Sequence, residues 1–128
     1  MIPKFRAWLK EEYWMTDVRE ITFFNDEIQM ISDIEGFYPY YEFELMQSTG
    51  LKDKNGKEIF EGDIVKFSDC DDDVYVTPVV WDKNYACFGV SFSGKYPVSF
   101  DYLEEFYTEL KDIEVVGNIY ENPELLGE

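Results

Sequence analysis

Apolar side chains in this chain recur at every second position, in short runs cut by Gly, Asn, Asp and Pro. A period of two is the mark of a strand with one buried face, so the chain has to fold as many short strands joined by tight turns. In Lys4-Phe5-Arg6-Ala7-Trp8-Leu9, the apolar Phe5, Ala7 and Leu9 alternate with Lys4 and Arg6, with Trp8 the exception. Lys10-Glu11-Glu12 reads as a turn, and Tyr13-Trp14-Met15 begins the returning strand. Ile21-Thr22-Phe23-Phe24 and Glu27-Ile28-Gln29-Met30-Ile31 flank Asn25-Asp26. Asn and Asp both tolerate a positive φ, so a tight hairpin is expected there.

The same reading continues along the chain. Ser32 to Tyr41 reads as an irregular, aromatic-rich connection, and alternation resumes at Phe43 and Leu45. Asn55-Gly56 is the strongest turn signal and predicts a type I′ turn with φ > 0 at both residues. Glu61-Gly62-Asp63 is a further turn before the strand Ile64-Val65-Lys66-Phe67. Ser68 to Asp73 is an acidic loop. Val74 to Trp81 is β-rich, with Pro78 marking an edge or a bulge. Asp82-Lys83-Asn84 is a turn, Tyr85 to Phe92 a strand, and Ser93-Gly94 another turn. One helix is expected, from Asp101 to Lys111, where Leu103, Phe106, Tyr107 and Leu110 form a single stripe. Ser99 or Asp101 caps it. Ile113 to Tyr120 is a strand interrupted at Gly117, and Pro123 starts a short final turn. The sum is a mainly β protein, a small barrel or sandwich of short antiparallel strands with one short C-terminal helix.

Length and charge bound the rest. At 128 residues the chain is one domain by size, with two small β subregions, 1–48 and 49–128, inside it. Hydrophobic residues make up 45% and aromatics 19%, enough for a core without metals or disulfides. The 28 acidic and 11 basic side chains leave a net charge of −17. That charge argues against direct binding of nucleic acid or of an anionic membrane. The absence of His removes the usual general base and the commonest metal ligand. The N-terminal segment lacks the apolar stretch of a secretory signal, so a bacterial cytoplasmic location is expected. Cys70 and Cys87 then read as free thiols.

The block from Leu45 to Val65, Leu-Met-Gln-Ser-Thr-Gly-Leu-Lys-Asp-Lys-Asn-Gly-Lys-Glu-Ile-Phe-Glu-Gly-Asp-Ile-Val, resembles the signature of the YopX family. The opening Lys4-Phe5-Arg6-Ala7-Trp8 and the closing segment from Glu114 to Leu126 are similar to the family's usual start and end. Leu9 stands where the family often has Asp, and Asn25-Asp26 where it has an Asn-Gly turn. The resemblance implies a small, mainly β, cytoplasmic protein of phages and prophages of Gram-positive bacteria, oligomeric and without enzymatic activity. It carries over no catalytic residue. The residues of the central block also make sense through folding: Gly for positive φ and Asp for local backbone hydrogen bonds. A chain reversal followed by two aromatic strands is the pattern of a small SH3-like barrel.

The same residues bound the candidate sites. Asp69, Asp71, Asp72 and Asp73 could offer oxygen ligands to calcium, but lack the spacing of an EF-hand, and a solvated turn is the ordinary reading. No carboxylate pair stands out for acid–base work. Cys70 lies in a negative field that opposes its thiolate, and Cys87 reads as a buried core thiol with no His to activate it. No phosphate loop is present. No cofactor and no metal are therefore expected. Two interaction surfaces remain. One is the aromatic segment with Phe37, Tyr38, Tyr40 and Tyr41, flanked by Glu35, Glu42 and Glu44, which suits a protein interface better than a base-stacking platform. The other is the loop with Lys52, Lys54 and Lys57, three of the eleven basic side chains. The expected function is that of a non-enzymatic phage or prophage accessory protein acting through protein contacts. Its partners are copies of itself and a host or phage protein. The alternative is an acidic DNA mimic that captures a basic host DNA-binding protein.

Overall fold

Apolar alternation becomes strand almost wherever it occurs. The computed structural model describes residues 4–92 and 97–127, and the expected Ser93-Gly94 turn lies outside them. The protein is mainly β, with 53% of residues in strands. It divides into two compact units, Met1–Ser48 and Thr49–Glu128.

In the first unit, β1 (Phe5–Leu9) is flanked by β2 (Trp14–Asp17) and by β6 (Phe43–Lys52), both antiparallel. Ala7 stands opposite Thr16 and Leu45, and Leu9 opposite Trp14 and Phe43. β3 (Glu20–Phe24), β4 (Glu27–Ser32) and β5 (Phe37–Pro39) form a second, three-stranded sheet. The core of the unit is Ala7, Leu9, Ile31 and Phe43, joined by Val18, Ile21, Ile28, Tyr38 and Leu45. The hairpin at Asn25-Asp26 forms as expected, with φ of 50° and 66°. Its ladder slips between Thr22–Met30 and Phe23–Ile28. That bulge lets Ile28 and Ile31, three residues apart, both face the core.

One expectation fails here. The segment Ser32 to Tyr41 is ordered into a turn, the strand β5 and a 3₁₀ turn at Tyr40–Glu42. Asp33 makes the turn: its Oδ1 accepts the N–H groups of Glu35 at 2.8 Å and Gly36 at 2.9 Å. A strand three residues long that ends in proline gives almost no periodic signal. Pro39 is tolerated because β5 lies at the edge of its sheet.

In the second unit the end of β6 carries β7 (Glu58–Phe60). β8 (Asp63–Ser68), β9 (Val74–Asp82), β10 (Cys87–Ser91), β11 (Pro97–Ser99) and β12 (Glu114–Asn118) make a five-stranded sheet in the order β11-β10-β9-β8-β12. Ile59, Val65, Phe67, Val79, Val90, Phe100, Leu103 and Ile113 are its core. The break in β12 appears as a register shift between Val115 and Gly117.

Four readings need correction. The turn at Asn55-Gly56 has a positive φ, 80°, at Gly56 alone. Gly56 N–H donates to the Asp53 carbonyl at 3.0 Å, so the turn is set by Asp53, with Gly in its last position. Pro78 lies on β9, which is central in the sheet. It stands opposite Ile64 but one residue beyond the last rung to β10, Val79–Val90, so the strand is paired there on one side. Next, β10 starts at Cys87, because Ala86 turns the chain with φ 51°; Cys87 is half-buried, not a core thiol. Finally the helix α1 (Phe100–Phe106) has 7 residues. Ser99 caps it, its Oγ accepting Tyr102 N–H at 3.1 Å. It ends where the N–H groups of Tyr107 and Thr108 both reach the Leu103 carbonyl. Tyr107 is held in ring contact with Phe92 at 5.3 Å and Tyr75 at 5.8 Å, and that packing outweighs further helical turns.

Candidate interaction surfaces

The aromatic segment splits: β5 alternation turns Phe37 and Tyr38 to opposite faces, and Tyr40 and Tyr41 lie in the 3₁₀ turn after it. Tyr38 pairs with Ile31 and packs on the core of the first unit. Phe37, Tyr40 and Tyr41 are exposed, with Tyr40 and Tyr41 edge to face at 5.4 Å. Tyr38 also borders an acidic groove of about 400 Å3 lined by Trp14, Ile34, Glu12, Asp33 and Glu35. Burial works to raise the Asp33 carboxyl, but the Thr16 and Tyr38 hydroxyls and the Glu35 and Gly36 amides together hold it below its ordinary range. The same contact, with burial first and the Asp33 charge second, pushes the Tyr38 phenol up.

The lysine loop is fastened at its base. Asp53 is buried, and its carboxylate accepts the N–H groups of Asn55, Lys57 and Val115, each at 2.9 Å. Burial works to raise its pKa, and these three donors bring it below the usual value. Lys54 N–H donates to the Ile113 carbonyl at 2.8 Å. Lys52, Lys54 and Lys57 all reach solvent. Lys54 lies 3.6 Å from the Glu114 carboxylate, an exposed pair that contributes little.

The acidic loop is organised from within. Asp69 Oδ1 accepts Asp71 N–H at 2.9 Å and Asp73 N–H at 3.0 Å, and Oδ2 accepts the Tyr75 hydroxyl at 2.9 Å. That last hydrogen bond is the first cause of the Tyr75 pKa being pushed up to about 12. Among the described residues, no three acidic or thiol side chains gather as a metal ion needs. Cys70 and Cys87 are free thiols. No helix among the described residues is long and apolar enough to cross a membrane.

The family model described as YopX protein matches residues 4–127. The chain belongs to the YopX family. Its fold is similar to the crystal structure of protein EF1440 from Enterococcus faecalis, with a TM-score of 0.73 and 30% identity over 98% of this chain and 99% of that one. It is similar also to protein yopX from Bacillus subtilis, with a TM-score of 0.62 and 24% identity over 95% and 96% of the two chains. None of the curated proteins matches the sequence.

In this YopX-family chain the glycines and buried aspartates of the block from Leu45 to Val65 serve the fold. Gly50, Gly56 and Gly62 all have positive φ. Asp53 and Asp63 are buried acceptors, and Asp63 Oδ2 takes Phe60 N–H at 2.7 Å. Sequence reasoning missed the exposed Trp14, Phe23, Phe24 and Ile34. Phe23 and Phe24 directly flank a turn, which is the one signal that could have marked them as reaching past the core.

Proposed function

We propose that this YopX-family protein is a phage or prophage accessory protein of the bacterial cytoplasm that acts by protein–protein contact, first of all with copies of itself. It acts by binding, without catalysis. One observation carries the reading. Tyr13, Trp14, Phe23, Phe24, Ile34, Phe37, Tyr40 and Tyr41 are between 62% and 81% exposed, all within the first unit. Isolated exposed aromatics are ordinary, but this density in 48 residues is characteristic of interface centres. The high negative charge keeps other faces apart and leaves apolar contact as the means of association.

Light scattering coupled to size exclusion tests this. The wild-type protein is expected to form an assembly that survives high salt. The triple variant Phe37→Ser, Tyr40→Ser, Tyr41→Ser is expected to shift toward monomer with an unchanged circular dichroism spectrum, because Tyr38 keeps the core. A wild-type monomer at every concentration overturns the self-association reading. Salt-reversible recovery of a basic DNA-binding protein by such a monomer favours DNA mimicry in its place.

A further inference from the structure

The second unit holds a cavity of about 630 Å3 beside the start of α1, within the roughly 300–1,000 Å3 typical of small-ligand sites. Phe92, Val98, Tyr102 and Tyr107 form apolar and aromatic walls. Phe92 and Tyr107 stack on each other and pack against the core, so these walls are fixed by the fold. Two carboxylates, Asp82 and Asp101, line the same space, and among its described lining residues there is no Lys or Arg. Asp82 is only 7% exposed. Its Oδ1 accepts Asn84 N–H at 3.0 Å, the one hydrogen bond described for this side chain. A carboxylate this deep interacts strongly with a counter-charge placed beside it in the cavity.

We infer that this cavity binds a small organic cation, an ammonium or guanidinium group on an apolar or aromatic body. Asp82 and Asp101 supply the counter-charge. The rings of Phe92, Tyr102 and Tyr107 cover the body and attract the cation through their faces. The two carboxylates repel an anion of the same shape, and a neutral hydrocarbon gains nothing from them. The site does not depend on self-association through the first unit.

Calorimetric titration of the full chain with phenethylammonium tests this, with 3-phenylpropionate as the anionic analogue of the same body. The cation is expected to bind and the anion to bind about tenfold more weakly or worse. Asp82→Asn keeps an oxygen for Asn84 and is expected to weaken the cation about tenfold. Asp101→Asn, at an exposed position, is expected to act in the same direction. Glu104→Gln with Glu105→Gln, on the exposed side of α1, removes two charges outside the cavity and should leave binding within about twofold. A second readout is independent of heat: the bound cation should slow alkylation of Cys87, which lines the cavity, and leave exposed Cys70 unchanged. Tighter binding of N-acetyl-arginine methylamide than of phenethylammonium would support the site and identify its cargo as a basic protein side chain. Equal binding of cation and anion, equal loss in the Glu104/Glu105 control, or no protection of Cys87 would each overturn the inference.

Discussion

At the residue scale, buried aspartates do the joining. Asp53 ties its own loop to Val115, 62 positions away, through a carboxylate shared by three backbone donors. Asp53→Ala strands those donors and should cost about 3 kcal/mol, seen as a lower urea midpoint with an unchanged slope. Its folded pKa lies below the ordinary 3.8, so the folded state binds this proton less tightly than the unfolded chain. The stabilisation is therefore whole above the unfolded value and drains as pH falls through the folded one. Urea midpoints measured downward from pH 6 should fall less steeply in Asp53→Asn than in the wild type. Tyr75 offers a spectroscopic counterpart. With its pKa pushed up to about 12 by Asp69, it should ionise among the last tyrosines in an absorbance titration, and Asp69→Asn should bring it back toward 10, its ordinary value.

At the element scale, close approach decides which residues are replaceable. A Cβ on Gly89 would fall against the backbone of Val98, 2.7 Å from its carbonyl carbon. Backbone cannot move aside as a flexible side chain can. Gly89→Ala should therefore push β11 away from β10, at a cost of about 1–3 kcal/mol. Hydrogen exchange should show faster amides in β11 than in β8. The cap of α1 rests on one hydroxyl, so Ser99→Ala should cost about 1 kcal/mol in the same denaturation assay. Much of the element pattern was open to sequence reading. Strand alternation, the Asn25-Asp26 hairpin and the break at Gly117 are local properties of their residues. The length of α1 was hidden because Tyr107 answers to Phe92 and Tyr75, which no helical stripe reports.

At the scale of the whole molecule, a net charge of −17 opposes both folding and association. Raising the ionic strength from about 0.01 M to about 1 M shortens the screening length from about 30 Å to about 3 Å. The urea midpoint should rise across that range. An assembly held by aromatic contacts should strengthen with it, whereas capture of a basic partner by the acidic surface should weaken. The two functional readings thus move in opposite directions in one titration.

Period and turn chemistry alone led to short antiparallel strands and one capped helix, because alternation, positive φ and capping depend on neighbours within a few residues; the YopX family came from the resemblance of the Leu45–Val65 block and the two end segments. They also marked the aromatic segment and the lysine loop as candidate surfaces. They could not divide Tyr38, which enters the core, from Phe37, Tyr40 and Tyr41, which face solvent. They could not connect Asp53 with Val115, or bring Asp82, Phe92, Tyr102 and Tyr107 around one cavity. Alternation says which residues share a face of a strand. Which face is then covered, and which distant side chains meet across it, depends on packing between segments far apart along the chain.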